Sequence, residues 1–299
     1  MIEIKNLTKG FEKVRALEDV TCTIQDGCIF GMVGANGAGK STLLRLIAGI
    51  YIPDSGSIKI GGEEVYDNPA AKEHVVFSPD LIRTVSGGAT LRRMADFYAA
   101  SYKKFSYEKF EQLAGVFSLD PKMRIRTMSK GMTKQAQTIL TLSCCADVVL
   151  FDETFDGLDP IARNVAKKLL YRDVCDNGTT VIVTSHSLRE LEDTCDQLAM
   201  LYKGKIVLQS DVSDLKTKLF KVQLAFEKDV SREDFAELDV LSFTKNGRVV
   251  NLIIKGDREK AEAKLNGMKP VFMEVLPLSL EEVFTYEMDT LGYKFEEIM

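Results

Sequence analysis

Residues Gly34 to Thr42 read GANGAGKST and fit the pattern G-x-x-x-x-G-K-[ST]. They follow the apolar run Cys28 to Val33 and open KSTLLRLIAGI, whose apolar residues recur at helical spacing. Few architectures accommodate this order, because such a loop works where a strand hands over to a helix N-terminus whose free N–H groups point outward. Gly34, Gly37 and Gly39 let the backbone amides of the loop, those of Ala35, Asn36 and Ala38 included, curl around phosphate oxygens. Lys40 is placed to reach the β and γ phosphates, the Ser41 hydroxyl to take Mg2+, and Thr42 completes the motif. The loop implies that the chain binds a nucleotide.

Two further apolar runs end in polar residues. ADVVLFDE finishes in Asp152 and Glu153, and TVIVTSH finishes in His186, with a helical stretch around Ile161 to Cys175 between them. Strand, helix and strand at this spacing predict a parallel sheet covered by helices. Such sheets bind ligands at the carboxyl ends of their strands, so these three side chains should emerge beside the phosphate site. Asp152 would orient Mg2+ through water. Glu153, one residue further out, would polarise an attacking water as general base. His186 would contact a γ-phosphate, while His74, on no comparable element, reads as structural. Two solvated acids closing a buried strand is the plainer alternative; the glycine loop upstream weighs against it.

Between the strand-rich parts, Leu91 to Leu119 is helical in pattern, with Leu91, Met94, Phe97 and Tyr98 on one face and Phe110, Leu113, Ala114 and Phe117 on another. After Phe220 the rhythm changes. FKVQLAF reads as a strand, SREDFAEL as a helix, and VLSFTKNGRVVNLII as a hairpin turning on Asn246-Gly247, a type I′ signal. DREKAEAKL is a helix, VFMEVL a strand, and SLEEVFTYEM a closing helix with a capping box (Ser279, Glu282) and a Leu278/Val283 staple. The order βαββαβ suggests a small α+β domain of ferredoxin-like type.

The stretch TMSKGMTKQ, residues 127 to 135, puts Ser129 and Gly131 at a helix start, where a hydroxyl and a bare backbone form a small anion cradle. The ordered set GANGAGKST, SKGM shortly before VVLFDE, GLDP at Gly157 to Pro160, and His186 after a strand resembles the ATP-binding subunit of an ABC transporter over about residues 1 to 215. The resemblance implies an α/β P-loop NTPase of the ABC ATPase type with a helical insertion at about residues 85–145, followed by an accessory α+β domain at residues 216–299. It implies ATP and Mg2+ as ligands, a second copy of the chain whose P-loop nucleotide meets Ser129 and Gly131, and a separate transmembrane permease subunit gripped by the helical insertion. The acidic tail domain, with PLSLEEVFTYEM towards its end, is similar to the C-terminal extension of subunits that export bacitracin, lantibiotics and small peptides, which points to an exporter of peptides, antimicrobials or drugs.

Some positions depart from the family pattern. Lys130 and Met132 stand where the signature has glycine and glutamine. Asp80 falls where the family has its Q-loop glutamine and is carried over as a residue near Mg2+; Phe11 matches the adenine-stacking aromatic. These departures keep open an ATP-gated switch that hardly hydrolyses.

Charge and cysteines narrow the classes. Residues 221–299 hold 11 Lys+Arg and 16 Asp+Glu, and subtraction from the totals of 39 and 44 leaves 28 of each sign in residues 1–220. No basic excess suits a nucleic-acid partner, and none is expected. The six cysteines show no C-x-x-C pair or zinc spacing and read as buried, reduced thiols. With no long apolar run, the expectation is a cytoplasmic chain, peripheral on the membrane through the permease.

Overall fold

The computed structural model describes residues 1–12, 14–80, 88–276, 278–290 and 292. Residues 85–87 of the expected helical insertion lie outside the described residues. The chain divides into two compact units, Met1–Gln209 and Ser210–Ile298.

The first unit begins with β1 (Ile2–Phe11), β2 (Val14–Ile24) and β3 (Ile29–Val33), then α1 (Lys40–Ile47), β4 (Ser55–Ile60), β5 (Glu63–Glu64), α2 (Pro69–Glu73) and β6 (Val75–Ser78). The helical insertion follows as α3 (Leu91–Ser101), α4 (Tyr107–Val116) and α5 (Lys130–Ser143). The unit closes with β7 (Val148–Phe151), α6 (Pro160–Asn177), β8 (Thr180–Ser185), α7 (Leu188–Glu192), β9 (Gln197–Tyr202) and β10 (Lys205–Asp211), the last strand running past the division.

Two sheets result. One has the order β2-β1-β4-β5 with antiparallel pairs, the other the order β10-β9-β3-β8-β7-β6, in which β3 runs parallel to both β8 and β9, and β7 to β8 and β6. Every residue of β3, β7 and β8 is buried, which is why these strands read as unbroken apolar runs. Leu43, Leu44, Leu46 and Ile47 of α1 share one core with residues of both sheets, so the helix that the glycine loop opens is fixed from two sides.

The insertion packs less completely than its periodicity predicts. Leu91 and Met94 are buried, but Phe97 is 51% exposed, edge-on to Tyr98. Tyr98, also on that face, is half-buried and stacks on Tyr102. Of the cysteines, Cys22, Cys28, Cys144 and Cys195 are buried, Cys145 is half-buried, and Cys175 is exposed on α6, against the expectation of burial. Position 175 lies on the outer face of α6, whose buried residues are Ala162, Ala166, Leu170 and Asp173.

The second unit contains α8 (Val212–Lys218), β11 (Leu219–Ala225), β12 (Asp239–Asn246), β13 (Val249–Lys255), α9 (Arg258–Gly267), β14 (Phe272–Leu276) and α10 (Leu280–Thr290). Its four strands form an antiparallel sheet in the order β12-β13-β11-β14. The segment SREDFAEL is a 3-10 turn, Arg232–Phe235, in place of the expected helix. Ser231 and Asp234 form the capping box that starts it, yet Phe235 is its single buried residue, too little to hold a longer helix on the sheet. The hairpin register pairs Asn246 with Val249, so the turn residues are Gly247 and Arg248, one step beyond the expected Asn246-Gly247. Of these three only Gly247 has a positive φ, 64°, as a type II′ turn requires at its first central position. The Ser279/Glu282 capping box is present: the Ser279 N–H donates to Glu282 Oε2 at 3.0 Å and the Glu282 N–H to Ser279 Oγ at 3.2 Å. Leu278 and Val283 are both buried beside it.

Candidate functional site

Three neighbouring strands of the parallel sheet end at one level. Val33 of β3 is in register with Ser185 of β8, and Phe151 of β7 with Val183. Gly34, Asp152 and His186 therefore leave the sheet along its carboxyl edge, where open α/β sheets bind ligands.

The sequence reading treats the three loop glycines alike, but the structure separates them. A Cβ at Gly34 would lie 2.4 Å from the Leu201 carbonyl oxygen, and one at Gly39, which sits at φ 111°, would lie 2.7 Å from that of Ala16. Neither position admits a side chain. Gly37 is under no such pressure: a Cβ there would meet nothing within 4 Å, and only its left-handed φ of 85° calls for glycine. It lies with Asn36 at the exposed tip of the loop, between half-buried Ala35 and buried Ala38, whose N–H donates to the Ala35 carbonyl at 3.1 Å. The turn at Gly37 thus shapes the cradle, while Gly34 and Gly39 seat it against its neighbours. Thr42, half-buried, follows Ser41 in the first turn of α1.

Helix α1 starts at Lys40 without a side-chain cap, which leaves its first amides free for an anion. Lys40 is buried; its ammonium donates to the carbonyls of Gly34 at 2.5 Å and Ala35 at 3.2 Å and stands 3.5 Å from Glu153 Oε1. Burial pulls the Lys40 pKa below its ordinary value, opposed by the Glu153 carboxylate.

Asp152 is 1% exposed, and its Oδ1 accepts from both Ser41 Oγ and Thr184 Oγ1 at 2.9 Å. The same Thr184 hydroxyl accepts the Glu153 N–H at 3.0 Å. Glu153 has a left-handed backbone, φ 53°, and its Oε2 lies 2.8 Å from His186 Nδ1. The carboxylate thus stands between the P-loop ammonium and a half-exposed imidazole. His74 pairs with Asp147 outside this group.

Ser129 is the N-cap of α5, its hydroxyl accepting the Met132 N–H at 3.2 Å, at the helix start expected for this stretch. A Cβ at Gly131 would lie 3.0 Å from the Gly157 carbonyl, and one at Gly157 would lie 2.9 Å from the Lys130 stem, so the turn and the GLDP segment sit against each other. The Lys130 ammonium pairs with Asp156 at 2.7 Å, which raises the lysine's pKa and lowers that of the aspartate. Phe11 is 40% exposed at the end of β1, edge-on to Tyr51. Asp80 does not join Ser41 and Asp152: its Oδ1 accepts from Lys134 at 2.8 Å.

Thr184 and Lys134 were missed in the sequence. Thr184 offered a signal, as a polar residue directly after the apolar run Val181–Val183. Lys134 offered none, since a lysine in a helix is ordinarily solvated.

The ABC transporter family model matches residues 17–156. An ABC transporter ATP-binding protein of Bacillus subtilis, YtrB, is 30% identical over 284 residues, which span 95% of this chain and 97% of its own length. The chain belongs to the ABC transporter family. As an ABC ATPase it is the ATP-binding subunit that energises a transporter, and it hydrolyses ATP to do so. It is also similar to the lantibiotic transport ATP-binding protein SrtF of Streptococcus pyogenes, 28% identical over 76% of this chain and 99% of that protein. Among solved structures, an ATP-binding cassette captured as a dimer after hydrolysis, with ADP and Pi, superposes with a TM-score of 0.65 at 20% identity, covering 71% of this chain and 99% of the other. The P-loop α/β fold that the resemblance implies is therefore the fold observed, carried by an ABC ATPase whose second unit contains an antiparallel sheet. No helix among the described residues is long and apolar enough to cross a membrane.

Proposed function

We propose that two copies of this ABC ATPase close head to tail on two ATP molecules and drive a separate membrane subunit that exports peptides, antimicrobials or drugs. The observation that carries the hydrolytic part is the line Lys40, Glu153, His186, with contacts of 3.5 Å and 2.8 Å on either side of the carboxylate. Residues Gly34 to Thr42 cradle the phosphates, and Phe11 offers an exposed ring face to the adenine. Glu153 takes the proton of the attacking water, while His186 steadies that carboxylate and reaches the γ-phosphate. Ser129 and Gly131 receive the triphosphate held by the other copy.

The donor set suits Mg2+. Ser41 and Asp152 supply two hard oxygens, in keeping with an ion that retains waters and shares phosphate oxygens. Among the described residues no group of three or more His, Cys, Asp or Glu forms a closed cage. When bound, the ion neutralises charge on the β and γ oxygens. Asp80, carried over by resemblance as a further ligand, would have to leave Lys134 to join them.

The lantibiotic transport relative supports a peptide cargo, and the dimeric cassette supports the paired arrangement. Residues 1–215 would act as the ATP-binding domain, with the helical insertion docking the permease at the cytoplasmic face of the membrane, and residues 216–299 as an accessory domain. The strand order β12-β13-β11-β14 supports a ferredoxin-like reading of that domain. Against a barely hydrolysing switch, the departures at Lys130 and Asp80 each come with a matched counter-charge, Asp156 and Lys134, as a built variant would have. Glu153→Gln tests the hydrolytic roles. It should bind ATP as before and lose turnover by about 10² to 10⁴; undiminished phosphate release would remove Glu153 from the mechanism.

A further inference from the structure

Among the buried polar side chains of helix α5, Lys134 and Gln137 lie one turn apart, each 3% exposed. Both are aimed at chain segments bordering the nucleotide site. Gln137 Nε2 donates to the Pro79 carbonyl at 2.6 Å. The Lys134 ammonium donates to Asp80 Oδ1 at 2.8 Å and to the backbone carbonyl of Glu153 at 2.9 Å. A buried ammonium is costly unless it is paired and hydrogen-bonded, and a leucine would fill the same helix face without that cost.

What the lysine holds explains its presence. Glu153 occupies a left-handed backbone conformation that a non-glycine residue keeps only where its surroundings over-determine it. Its N–H is tied to Thr184 Oγ1 and its carbonyl to Lys134 Nζ, so the peptide groups on both sides of its Cα are anchored. The helix that supplies this anchor also begins at the Ser129 turn.

We propose that Lys134 is a positioning residue for ATP hydrolysis: from α5 it clamps the Glu153 carbonyl and the Asp80 carboxylate together and so fixes where the Glu153 side chain stands. The inference rests on the reading of Glu153 as the general base. Lys134 gives its hydrogen bonds to Asp80 and to the Glu153 carbonyl, acting through the backbone of the base, so its loss should reach kcat and spare ATP affinity.

The test uses the full chain with Lys134→Met, Asp80→Ala, the double variant and Glu153→Gln, measuring steady phosphate release, the Kd of a fluorescent non-hydrolysable ATP analogue, and thermal unfolding. Lys134→Met should lower kcat by roughly tenfold or more with Kd within about twofold of the parent. Asp80→Ala, which removes only the half-exposed partner, should lower kcat about three- to fivefold, and the double variant should be no worse than Lys134→Met alone. If Lys134→Met does not fold, Asp80→Ala decides the matter by the same split. The positioning role is overturned if kcat in these variants stays within about twofold of the parent, or if Kd worsens in step with kcat. Full turnover by Glu153→Gln would instead sink the general-base reading, whatever Lys134 does.

Discussion

The two sheets of strands β3, β7, β8 and β11, β13, β14 solve the same packing problem in opposite ways. In the ATPase unit the central strands are buried on both faces, so polar side chains are confined to strand ends, and three such ends meet at the nucleotide site. In the C-terminal unit β11 alternates buried and half-buried positions, and Val222, Leu224, Val250, Leu252 and Ile254 turn to one core. Every buried polar or charged side chain among the described residues, from Lys40 to Thr194, lies in the first unit; the second has none. The first unit carries buried polar groups at the carboxyl ends of its strands, and the second turns an apolar face to its own core.

That contrast can be broken or sharpened by substitution. Lys40→Ala should abolish phosphate release by the purified chain, because it removes the buried ammonium of the P-loop; retained release would mean that hydrolysis does not run through this loop. Leu252→Ala, in the centre of the second core, should cost about 2–5 kcal/mol of stability, read by denaturant unfolding, with ATP turnover kept. A parallel loss of turnover would show that the second unit supports the first catalytically.

Paired cap substitutions probe the same division at smaller amplitude. Ser129→Ala and Ser279→Ala each delete an N-cap acceptor and should each cost about 0.5–2 kcal/mol. Only the first should also lower ATPase activity, since the proposed function gives Ser129 a second role toward nucleotide; equal activities would leave it a cap and no more. The smallest effect concerns acid. The Lys130 ammonium holds the Asp156 carboxyl below its ordinary pKa, so the pair's stabilisation is present above the usual aspartate range and is lost as pH falls through the lowered value. Solvent screens this exposed pair, and Lys130→Ala should flatten the acid side of the stability profile only slightly. An unaltered profile would mean the pair adds nothing.

Legibility in the sequence follows the same divide. The parallel strands, the glycine loop and the acids after VVLF were readable because burial on both faces writes itself as unbroken apolar runs with polar stops. Ser129 was readable as a helix start because capping is local chemistry. Lys134 was not, because its partners lie 54 and 19 positions away in the chain and a lysine's burial is decided by tertiary packing. The 3-10 turn at Arg232–Phe235 and the turn at Gly247-Arg248 escaped for a related reason: cap and turn signals mark where an element begins, while its length and register are set by what it packs against.

The exposed thiol on α6 has a practical use. Burial pushes Cys22 up to about 12, and it raises Cys144 and Cys195 as well, so at neutral pH a maleimide dye should attach first at Cys175. The chain therefore carries its own handle for fluorescence, and energy transfer between two labelled molecules would time their approach without any engineered cysteine.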